Sequence, residues 1–171
     1  MKKLLCVLLA AVMVLALAAC GGNDAPAANG DNDPQQEPQT QSVDLKQTAV
    51  GAVAALGDEY PMFPVEDAEE LEGLYPGLSA IETKQVVAYQ PPVSGFGCEL
   101  AMVEVANAAD AETVRGIFQA RVDGFANDTA YPENAPPAWK NNAAVTVNGS
   151  YVVLGVLPED TDLPPVFKAE F

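Results

Sequence analysis

Covalent, acid–base or metal chemistry needs nucleophiles, proton carriers or ligands at workable spacing, and this 171-residue chain contains few of them. There is no His, which removes Ser/His and Cys/His pairs, His-bearing zinc sites and the usual proton shuttle of neutral pH. Cys98 would be a nucleophile only with another base, and its apolar strand neighbours make it a buried structural thiol. Glu99 and Glu104 are five apart on that strand, so they point to opposite faces and cannot work as a simple acid/base pair. Glu66, Glu69 and Glu70 line one face of a short helix, which is either a solvated face or, in the sharper reading, a cation site. The only arginines, Arg115 and Arg121, are six apart on a helix and therefore on different sides, so pairing with nearby acids outweighs a shared anion site. Gly95 and Gly97 lack the third glycine and the strand-to-helix setting of a phosphate loop. Asp31, Asn32 and Asp33 follow a misplaced Gly30, and no Glu closes a twelve-residue calcium loop, so they read as linker. Tyr131 and Trp139, between prolines in a loop spanning 127–142, are candidate recognition residues, with a lid over the core as the alternative. No catalytic residue, metal site or cofactor follows, and the chain does not read as an enzyme.

The residue with the clearest chemistry is Cys20. Lys2 and Lys3 precede sixteen apolar residues, 4–19, which form a signal peptide over 1–19. As a helix that run would reach about 24 Å, short of the roughly 30 Å of a bilayer core. It ends in Leu17-Ala18-Ala19-Cys20, which resembles the bacterial lipobox, where small residues fit the signal peptidase and the thiol receives a diacylglycerol. Cleavage there removes Cys6 and caps Cys20, so no disulfide forms within the mature chain. Loss of Lys2 and Lys3 leaves six basic against 24 acidic side chains. Such a chain is a poor fit for nucleic acid or an anionic lipid surface. Residues 20–43, rich in Gly, Pro, Asn, Gln and acids, form a disordered tether with an end-to-end distance of roughly 25–30 Å.

What remains, 44–171, is one domain of ordinary size. Asp44 caps an amphipathic helix over 44–56 that stops at Gly57, and residues 66–75 form a short acidic helix. Residues 84–90 and 98–105 are β-rich and hairpin-connected. A helix over 108–126, capped by Asn107 or Asp110, presents Val114, Ile117, Phe118, Val122 and Phe125 on one face. Strands at 143–147 and 150–157 flank Asn148-Gly149, a type I′ hairpin signal. The second of these is apolar on both faces, placing it near the sheet centre. Pro164-Pro165 prevents a continuous terminal helix. The fold class is α+β: a small, mostly antiparallel sheet of about four strands with helices packed on one face.

The segments Glu70-Leu71-Glu72-Gly73-Leu74-Tyr75, Glu99-Leu100-Ala101-Met102-Val103-Glu104-Val105 and Ala109-Asp110-Ala111-Glu112 together resemble those of a family of small bacterial lipoproteins, domain of unknown function 4358. Tyr131-Pro132-Glu133 and Gly149-Ser150-Tyr151-Val152 extend the likeness, which covers roughly residues 66–156. The resemblance implies an extracytoplasmic α+β domain, and Pro164-Pro165 departs from the closing helix usual in the family. It implies no activity. The expected protein is a lipoprotein held by Cys20 on the extracytoplasmic face of a bacterial cell membrane, a non-enzymatic module for a protein or envelope component. The alternative is a small-molecule or cation-binding lipoprotein.

Overall fold

In a computed structural model, which describes residues 42–93, 97–128 and 135–171, the first helix, α1 (Leu45–Leu56), starts where the Asp44 carboxylate accepts from Gln47 N at 3.0 Å. It stops at Gly57, whose φ of 68° suits glycine. The signal segment 1–19, Cys20, most of the 20–43 tether, Gly95 and Tyr131 lie outside the described residues. A two-residue strand, β1 (Phe63–Pro64), precedes α2 (Ala68–Leu74), which Asp67 caps through Glu69 N and Glu70 N. Glu66 falls before this helix rather than on it. Then come β2 (Thr83–Gln90) and β3 (Glu99–Val105). A 3-10 turn capped by Asn107 leads into α3 (Ala111–Ala126). A further helix, α4 (Ala135–Asn141), is followed by β4 (Ala143–Asn148), β5 (Tyr151–Val156) and a terminal 3-10 turn, Pro165–Lys168.

The strands form one antiparallel sheet in the order β1-β2-β3-β5-β4, with an irregularity in the β2–β3 register between Thr83 and Gln85. The class is α+β, as the sequence implies, but the sheet has five strands and its helices occupy both faces. The reason lies in β3, every residue of which is buried. Ala101, Val103 and Val105 face Val114, Phe118 and Val122 of α3 and Trp139 of α4, whereas Leu100 and Met102 face Leu45 and Ala49 of α1 and Phe167 beyond β5. A strand apolar on both sides cannot be sealed by one helical layer. The fifth strand escaped the pattern because it is two residues long and contains a proline, tolerated here because β1 is an edge strand.

Two local readings are corrected. Asn148 pairs with Tyr151 across the hairpin, so the turn residues are Gly149 and Ser150 rather than Asn148 and Gly149. Gly149 has a φ of 60° and Ser150 does not have positive φ, the type II′ pattern, whose requirement is glycine at the first turn position. The expected loop over 127–142 contains α4, with Pro136 and Pro137 in its first turn, where the missing N–H groups cost nothing.

Candidate functional site

A buried polar cluster sits where the start of β3 meets α3 and the end of α2. Glu99 follows the parity of Ala101 and Val103, so its carboxylate points under α3 into the core, where it is 1 % exposed. An isolated charge there would be prohibitively costly. Arg121 supplies the counter-charge in a bidentate pair, Nε to Oε1 and Nη2 to Oε2, both at 2.5 Å. Tyr75, next to the end of α2, donates its hydroxyl to Oε1 at 2.8 Å. Burial first, and the Glu99 charge second, push the Tyr75 hydroxyl well above its ordinary range, so it stays a donor.

Aromatic rings enclose the guanidinium of Arg121. Its central carbon lies 4.8 Å from the Phe125 ring centre, 5.4 Å from Tyr75 and 5.6 Å from Trp139. Phe125 and Trp139 stack at 4.6 Å with 19° between planes, and Tyr75 meets Phe118 edge-on at 5.1 Å. A cleft of about 180 Å³ opens beside this cluster, lined by Gln90, Cys98, Glu99, Arg121, Phe125 and Trp139 among others.

The chemistry available is narrow. Both Glu99 oxygens are engaged by Arg121 and Tyr75, which leaves the carboxylate a structural acceptor. Cys98 is 1 % exposed and its thiol is pushed up to about 12, by burial and then by the Glu99 charge, so it is protonated at neutral pH. It is the buried free thiol expected of an apolar strand. Glu104 lies across the sheet, bound by Lys84 Nζ at 3.1 Å and Gln85 Nε2 at 2.7 Å, so the two glutamates do face apart. Gln85 also donates to Val43 O and accepts from Leu45 N, fastening the start of α1 to the sheet.

The other sequence candidates do not converge. Arg115 pairs with exposed Glu112 at 2.6 Å, and Glu66, Glu69 and Glu70 are exposed, with Glu70 accepting from Gln90 at 2.6 Å. Among the described residues no group of three or more Cys, Asp or Glu is placed to hold a metal ion. Trp139 is a core side chain, 3 % exposed, whose edge reaches the cleft, and Tyr131 lies outside the described residues. Sequence reasoning missed the Glu99–Arg121–Tyr75 cluster. The signal was present in Glu99 itself, an acid at an inward position of an apolar strand, which demands a cationic partner.

Residues 55–157 match Domain of unknown function (DUF4358). The chain belongs to this family. No curated protein and no solved structure matches it. Every residue of the Tyr75–Glu99–Arg121 cluster, with Phe125 and Trp139, falls inside the DUF4358 span. The residues that cover the opposite face of the sheet, Leu45 to Ala52 on one side and Phe167 on the other, fall outside it.

Proposed function

We propose that this DUF4358 protein is a lipoprotein, anchored through Cys20 on the extracytoplasmic face of a bacterial cell membrane, whose domain binds a protein or another envelope component without catalysis. The observation that carries the reading is Leu17-Ala18-Ala19-Cys20 at the end of a sixteen-residue apolar run that starts after Lys2-Lys3. Among the described residues no helix is long and apolar enough to cross a membrane.

The non-enzymatic part rests on the state of the reactive groups. Cys98 is neutral and buried, Glu99 is saturated, and Glu104 is bound on the far side of the sheet. The small-molecule alternative is weaker at the aromatic cleft. Its 180 Å³ falls below the roughly 300 Å³ at which ligand pockets begin, and its charged groups already satisfy each other.

Cys20→Ser tests the anchor. The variant is expected to lose incorporation of a fatty-acid analogue and to accumulate as precursor. Unchanged labelling would overturn the lipoprotein reading.

A further inference from the structure

We infer that β4 pairs edge to edge with β4 of a second copy of this chain, antiparallel and centred on Val145. The inference goes beyond the anchor-and-binding reading and does not depend on it.

The outward groups of β4 follow from its register. Asn148 closes the hairpin on Tyr151, and at the other end Leu157 N donates to Asn142 O at 3.4 Å. In an antiparallel ladder such hydrogen-bonded residues alternate with residues whose backbone points away. Asn142, Ala144, Thr146 and Asn148 therefore bond toward β5, and the N–H and C=O groups of Ala143, Val145 and Val147 point outward. β4 ends the sheet, and among the described residues no strand lies beyond it. Its outward groups thus form a row spaced evenly about Val145.

Natural sheets protect such a row with a short strand, proline, charge or a bulge. The opposite edge has two of these devices, since β1 is two residues long and contains Pro64. β4 has none of them. Its six residues, Ala-Ala-Val-Thr-Val-Asn, are uncharged and run in unbroken register with β5.

Symmetry and local charge select the occupant. An antiparallel copy centred on Val145 sets Val145 against its equivalent and Ala143 against Val147, so every outward group of either strand finds a partner. A two-fold axis through that point generates the arrangement. The side chains match as well. Ala143, Val145 and Val147 lie half-buried on the α3 side of the sheet, and each copy lays this same row beside the other, β-branched against β-branched at the centre. Across most of the surface, 24 acids against 8 bases oppose contact between copies. Residues 134–158 are the exception, the longest run of the chain without Asp or Glu, and they contain both β4 and β5. Glu159 reaches the start of β4 through Asn141, the neighbour of Lys140. Six paired residues bury far less than the roughly 1,200 Å² of a stable complex, so the pair is weak and parts on dilution.

Cysteine cross-linking traps such a contact and reads its register. The full-length protein is treated, in the cells that make it, with dibromobimane, which bridges adjacent thiols. Yields are scored above the unsubstituted chain, so that its own cysteines cancel. Val145→Cys should give a cross-linked dimer, because opposed Cα atoms in such a pair lie about 5.5 Å apart. Val147→Cys alone should not, because its equivalent sits four residues along the strand, about 14 Å away. Val147→Cys combined with Ala143→Cys should restore the dimer. Ala143→Pro in the Val145→Cys chain removes one outward N–H from each copy and leaves the β5 ladder intact. It should lower the yield about fivefold or more with the melting temperature unchanged. No dimer from either Val145→Cys or the Ala143 and Val147 pair, equal yields from Val145→Cys and Val147→Cys, or a different protein captured in place of the copy would each overturn the pairing. None of these outcomes touches Cys20, whose lipid labelling is read separately.

Discussion

Glu99 and Arg121 were taken out of water together, and each is tolerable only because of the other. Burying a charge carries a penalty of several kcal/mol, which the bidentate pair, the Tyr75 hydroxyl and the surrounding ring faces offset. Removing one partner leaves the penalty without the compensation. Arg121→Met should therefore lower unfolding stability by on the order of 3–5 kcal/mol, measured by urea denaturation. Arg121→Met combined with Glu99→Leu should recover most of that loss, since an apolar pair of similar size is often no worse than a buried ion pair. A double variant as unstable as the single one would show that the charges, not the packing, hold this junction. The sequence disclosed half of this arrangement. The parity of β3 places Glu99 inward, but six-residue spacing from Arg115 says only that the two arginines diverge, and the partner of Arg121 is 22 positions away. Pairings at that separation are set by how α3 lies across the sheet, which periodicity does not encode.

Elements were legible where a period repeats and obscure where close approach replaces it. The α3 face of Val114, Phe118 and Val122 is buried as its spacing demands, and β5 is interior because it is apolar on both sides. The helix α4 was hidden by its prolines, which usually signal a loop but are harmless in a first turn. Gly155 was equally silent. It sits mid-strand in β5, where glycine ordinarily weakens pairing, and the reason appears only in three dimensions. A Cβ there would lie 2.6 Å from both the Cβ and the carbonyl oxygen of Phe167. Gly155→Ala is thus expected to cost about 1–3 kcal/mol by overpacking, read as a melting temperature lower by several degrees. The same substitution at Gly124, where the space is open, should do the reverse.

At the scale of the molecule, the family span and the physical unit do not coincide. Residues 55–157 carry the whole sheet, and the layer formed by α2, α3 and α4 lies within them. The other layer is assembled from the two ends of the domain, α1 and the Pro165–Lys168 turn, whose Leu45, Ala49 and Phe167 cover Leu100, Met102 and Val153. A fragment cut at 55 and 157 would leave those strand residues bare, so it should aggregate or bind a hydrophobic dye. The fragment 43–171 should stay monomeric under the same size-exclusion conditions. Gln85 and Tyr151 hold the chain at Val43, ahead of α1. The second layer thus joins the earliest and the latest elements of the described domain, α1 and the Pro165–Lys168 turn. Leu45 and Ala49 of α1 have only part of their partner surface until Phe167 packs beside them. That side of the sheet therefore closes only when two segments far apart along the chain meet, a step that no local contact can supply.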